Sequence, residues 1–63
     1  MAALLPLPRI HVYKTKTAGY QVIHVSRTKR QTVLKRRLER DAAKDYGRAA
    51  SHVHGVPLEV DDE

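Results

Sequence analysis

The chain has 63 residues, 12 Lys and Arg against 7 Asp and Glu, and no cysteine. That length admits one small domain and excludes a dinucleotide-binding unit, a kinase lobe or a repeat array. Without cysteine there is neither a disulfide framework nor a thiolate zinc site, which suits a cytoplasmic or nuclear setting.

The distribution of charge says more than its sum. All twelve basic residues fall between Arg9 and Arg48, where only Glu39, Asp41 and Asp45 oppose them, so this body carries 12 − 3 = +9. The remaining acids, Glu59, Asp61, Asp62 and Glu63, close the chain. A basic body with an acidic tail favours a polyanionic partner.

In chain order, residues 1–8 form an apolar arm carrying Leu4, Leu5 and Leu7, interrupted by Pro6 and Pro8. It lacks the basic start and unbroken apolar run of a secretory signal, and no segment reaches membrane-spanning length. The chain therefore reads as complete, with no membrane association. The leucines are candidates for contact with a protein partner or a second copy.

Residues 9–55 read as a single ββ(β)α domain. Arg9 to Lys16 and Tyr20 to Arg27 alternate apolar and polar residues, as strands do. Gly19 between them suits the positive φ of a tight hairpin. An even-numbered loop puts Ile10, Val12, Ile23 and Val25 on one face and His11, Tyr13, Thr15, Tyr20 and His24 on the other. A three-residue loop with a bulge at Gly19 mixes these sets. The cleaner apolar face favours the even loop, and Tyr13 and Tyr20 then become candidates for stacking on bases.

From Leu38 to His54 the pattern is helical, with an apolar stripe of Leu34, Leu38, Ala42, Asp45/Tyr46, Ala49 and Val53. Gly55 and Pro57 supply the stop. The start is open. Thr28 with Gln31 fits a capping box and one long helix, whereas Thr32-Val33 fits a third strand over Arg30 to Arg36. Residues 56–63 hold a short segment that Pro57 confines to a sheet edge, then the acidic tail. The fold class is α+β, a hairpin or three-stranded antiparallel sheet packed on one basic amphipathic helix.

A long helix gathers Lys29, Arg30, Arg36, Arg37, Arg40, Lys44 and Arg48 on an arc of about 120°. A third strand instead clusters Lys29, Arg30, Lys35, Arg36 and Arg37 at a sheet edge. Unrelieved like charge costs a few tenths of a kcal/mol per pair on a helix, and phosphates would neutralise it. Lys14, Lys16, Arg27, Lys29, Arg30, Arg36, Arg37, Arg40, Lys44 and Arg48 are therefore the candidate nucleic-acid contacts. His52 and His54 point apart on a helix, and His11 and His24 lack a third ligand, so no metal or other cofactor is expected. No nucleophile–base pair or phosphate loop is present, and an enzyme is not expected.

The helix sequence Ala42-Ala43-Lys44-Asp45-Tyr46-Gly47-Arg48-Ala49-Ala50, followed by Gly55, resembles the helix of the ethylene-response-factor DNA-binding domain and its integrase-arm relatives. Val12-Tyr13, Gly19-Tyr20 and Val22 echo that family's first strands. The family's tryptophan and its L-G-x-F segment are absent. The resemblance implies a three-stranded sheet whose face reads DNA, with Lys14, Lys16, Arg27, Lys29 and Arg30 near the backbone. The expected function is nucleic-acid binding, duplex DNA before RNA, as a regulator or accessory factor. A dimer is expected to enlarge the small core and footprint. The alternative is a phage-type modulator that inhibits or redirects a larger host protein.

Overall fold

A computed structural model describes residues 7–61. They form an α+β fold of β1 (Arg9–Lys14), β2 (Tyr20–Val25), β3 (Gln31–Leu38), α1 (Arg40–His54) and β4 (Leu58–Asp61). The four strands make one mixed sheet in the order β3-β2-β1-β4, with one helix packed on it. β1, β2 and β3 pair antiparallel through short turns, and β4 runs parallel to β1. Parallel strands need a crossover, and α1 supplies it, carrying the chain from one sheet edge to the other.

The hairpin between β1 and β2 has odd-numbered geometry. Lys14 lies opposite Tyr20, and the Thr15 amide donates to the Gly19 carbonyl at 2.8 Å. The Thr15 hydroxyl accepts from the Ala18 amide at 3.0 Å, and Gly19 has φ +74°. A Cβ there would stand 2.8 Å from the Leu38 carbonyl oxygen, so the turn needs glycine on two counts. This register corrects the even-loop expectation. Ile10 faces His24 and Val12 faces Val22, which puts Ile10, Val12, Tyr20, Val22 and His24 under the helix. His11, Tyr13, Ile23 and Val25 occupy the opposite face, so His11 and His24 are not neighbours.

Residues 31–38 are a strand, so the long helix and its capping box at Thr28 are excluded. Ser26 to Arg30 make a turn instead: the Ser26 amide donates to the Arg30 carbonyl, and the Ser26 side-chain oxygen accepts from the Arg30 amide. Lys29 takes a positive φ of 68° there, and Arg37 takes 61° beside the β3 irregularities. No turn residue is needed between β3 and α1, because extended Glu39 alone joins them. Gly55 ends the helix with φ +66°, its amide donating to the His52 carbonyl and the Val56 amide to that of Ser51. These two bonds form a Schellman closure.

The core beneath α1 consists of Ile10, Val12, Tyr20, Val22 and Ala43, with Leu34, Leu38, Ala50, Val56 and Leu58 around it. Ala43 and Gly47 are the buried helix positions. The stripe expected through Ala42, Tyr46, Ala49 and Val53 is thus rotated by about one residue, or 100°. Val53 is 79% exposed. Packing decided the phase: the closest approach requires the smallest residues, and the stripe with larger side chains was left outside.

Gly47 marks that approach. A Cβ there would lie 2.5 Å from Val12 Cγ2 and 3.1 Å from Leu58 Cδ1. Gly47→Ala gains about 1 kcal/mol in helix propensity, but overpacking a fully buried β-branched neighbour costs about 1–3 kcal/mol. The variant should be less stable in urea denaturation, by about 1 kcal/mol net. Val53→Thr should change stability by less than about 0.5 kcal/mol. A large loss on Val53→Thr with none on Gly47→Ala would restore the sequence-derived helix phase.

Candidate nucleic-acid interface

The ten candidate cations do not form one patch. β1 and β3 rise toward the β1–β2 turn, which gathers Lys14, Lys16, Arg36 and Arg37 with the helix start at Arg40 and, one turn on, Lys44. Arg27, Lys29 and Arg30 occupy the β2–β3 turn at the opposite end, one six-residue strand or about 20 Å away. Arg48 lies between them on the helix, its guanidinium 2.7 Å from the Asp45 carboxylate in an exposed pair. The expected ridge Arg36-Arg40-Lys44-Arg48 is broken, since Arg36 belongs to β3 and only the last three share the helix.

What links the two ends is β3 itself. Among the described residues it is an edge strand, paired on one side only, with β2. From Ser26 to Leu38 the chain carries Arg27, Lys29, Arg30, Lys35, Arg36 and Arg37 and no acid, and all six cations are exposed. Lys35, left out of the ten candidates, belongs to this stripe. The sheet-edge clustering that a third strand entails is present.

The other edge has the opposite sign. β4 ends on exposed Asp61, with Glu59 turned onto β1, and Asp62 and Glu63 follow in the sequence. Glu59 Oε1 is 3.3 Å from Arg9 Nε, and Glu59 Oε2 is 3.9 Å from His11 Nε2, which fastens β4 to β1 on the face away from the helix.

On that face Ile23 and Val25 are buried, and the two tyrosines do not come together. Tyr13 is there, tilted against His11 at a ring separation of 5.1 Å, and its hydroxyl accepts from Gln21 Nε2 at 2.7 Å. Tyr20 is buried beneath the helix, so the paired-tyrosine platform does not form. Lys14, Lys16, Arg27, Lys29 and Arg30, which the family resemblance would set near the DNA backbone, stand at the two ends of the sheet.

Among the described residues, no group of three or more His, Asp or Glu is placed to hold a metal ion. His24 and His54 do meet, at a ring separation of 5.1 Å, where the helix end reaches β2. Among the described residues, no helix is long and apolar enough to cross a membrane. Of the apolar arm, Leu4 and Leu5 lie outside the described residues, and Leu7 is half-buried.

An open groove of about 290 Å³ runs beside the basic edge, lined by Leu34, Tyr46, Ala49, Ala50, Val53 and His54. It exists because α1 packs mainly on β1, β2 and β4 and covers β3 only in part, with Leu34 and Leu38 half-buried at the margin of the core. Its helical lining includes Tyr46, Ala49 and Val53 of the stripe that hydrophobicity alone assigns to the core. Compared with protein-family models, curated proteins and solved structures, the chain matches none.

Proposed function

We propose that the protein binds nucleic acid, duplex DNA before RNA, as a small regulator or accessory factor. The observation that carries this reading is the acid-free stripe from Arg27 to Arg37 along an exposed strand edge. Three consecutive cations at Lys35, Arg36 and Arg37 repel one another, and polyanion binding releases counterions while relieving that repulsion. The eight residues of β3 span about 26 Å, long enough to follow a phosphate backbone past the roughly 12 Å major groove. The helix start, with its partial positive charge, adds to the field at the Lys14–Arg40 end.

A duplex is favoured over single strands because stacking surfaces are scarce: Tyr20 is buried and Tyr13 shares its face with Glu59 and Asp61. Phosphate contacts of this kind position a protein without reading sequence. Binding is therefore expected to be only weakly base-specific. DNA affinity measured by fluorescence anisotropy at 50–200 mM salt should give a log–log slope of roughly −5, for about six neutralised phosphates. Lys16→Ala/Arg36→Ala should lower its magnitude by about 2. A slope near zero, or no binding at the lowest salt, would overturn the proposal.

The acids that close the chain should oppose DNA binding through the field of the whole molecule. Neutralising them with Asp61→Asn/Asp62→Asn/Glu63→Gln should tighten binding at low salt, and less so as salt shortens the screening length.

A further inference from the structure

We propose that the protein associates with further copies of itself head to tail, the acidic β4 edge of one copy adding to the basic β3 edge of the next. Among the described residues both edges are open: β3 pairs only with β2, and β4 pairs only with β1. Each end strand of an uncovered sheet offers unpaired amides and carbonyls to another strand. Charged residues on an edge usually discourage such pairing, and like charge on both edges would do so here. The two edges instead carry opposite sign. β3 meeting β3 would oppose cation to cation, and β4 meeting β4 acid to acid, so charge disfavours both two-fold arrangements and selects β3 with β4.

The registers within the sheet also agree. β3 and β4 both run parallel to β1, so a sheet continued from one copy to the next keeps its helices on one face and joins β4 to β3 in parallel. At the level of Ile10 stand Leu58 on one edge and Thr32, through His24, on the other. At the level of Val12 stand Val60 and, through Val22, Lys35 with Leu34 beside it. One step further, Asp61 is level with Tyr13 and Gln21, where β3 passes through Arg36 and Arg37. Continued without stagger, Val60 of one copy approaches Leu34 and the groove of Tyr46 and Val53, while Asp61 approaches Arg36. Apolar meets apolar and acid meets base along the same strand. Val60 and Tyr46, 36% and 40% exposed, are the side chains this contact would cover.

Such a contact is heterologous, so it propagates into a ring or a filament rather than stopping at two copies. It does not depend on nucleic-acid binding, although both use the β3 edge, and its test contains no nucleic acid. Sedimentation velocity of the full chain should show the mass rising above the 7.2 kDa monomer with concentration at about 20 mM salt and falling back at about 500 mM, where screening is strong. Lys35→Glu/Arg36→Glu and, separately, Asp61→Lys/Asp62→Lys/Glu63→Lys should each remain monomeric. An equimolar mixture of the two should associate again, because each supplies the complement of the other.

Carbodiimide treatment should join Lys35 to Asp61 between copies, identified by mass spectrometry in a mixture of light and heavy-isotope protein. Within one chain three strand spacings, about 14 Å, separate those edges, too far for a zero-length link. Circular dichroism establishes that the variants fold; should the charge reversal at β3 unfold, Lys35→Gln/Arg36→Gln replaces it. A wild-type chain that stays monomeric at low salt would overturn the proposal and leave the groove to an acidic strand of another protein. Growth that ends at a dimer, or self-association of either variant as strong as wild type, would overturn it equally.

Discussion

The position of the helix depends on one contact, Gly47 over Val12. Without a side chain at Gly47 the helix backbone settles directly on β1, the strand that bonds to both β2 and β4. Ala43 and Ala50 extend the close approach along the same stripe. This seat has two consequences. It puts the helix over the β2–β1–β4 side of the sheet, so β3 is covered only in part and a groove is left beside Leu34. It also returns the chain to the end from which β4 can start in parallel with β1, closing a short core that has no Phe or Trp.

The same topology converts a linear charge pattern into a polar molecule. In sequence the acid-free basic run from Arg27 to Arg37 precedes the acids that close the chain. In the fold, β3 and β4 are the first and last strands of the sheet, so the cations of β3 and Asp61 of β4 stand on opposite edges of a body whose described residues span 29 × 27 × 17 Å. Glu59 is matched by Arg9, whereas Asp61 and the cations of β3 stay apart because β1 and β2 lie between them. The proposed polyanion binding and the proposed head-to-tail association use one basic edge and would compete for it.

Several features were legible from the residues. Gly19 and the alternating segments around it gave a hairpin, Gly55 and Pro57 gave the helix end, and Pro57 confined the last strand to an edge. Each of these rests on a local constraint: a positive φ, a missing amide, or a period of two against 3.6. Glu39 shows the reverse case. A strand passing directly into a helix through one extended residue leaves no turn signal, so β3 remained ambiguous between strand and helix.

The errors share a physical origin. The hairpin register and the helix phase each turn on a shift of one residue, and such a shift exchanges which side chains are buried without altering composition. In β2 it moved Tyr20 inward, and His24 with it to the helix side; in α1 it exchanged Val53 and Tyr46 for Ala43 and Gly47. Hydrophobicity favoured the larger side chains, whereas close packing of helix on sheet required the smallest ones. The sequence by itself determined the kinds of element, their order and the separation of basic from acidic residues, because these follow from local preference and charge. Only the tertiary structure decided which faces meet, which edges stay open and where the two charge blocks end up, because those depend on side chains fitting together across the chain.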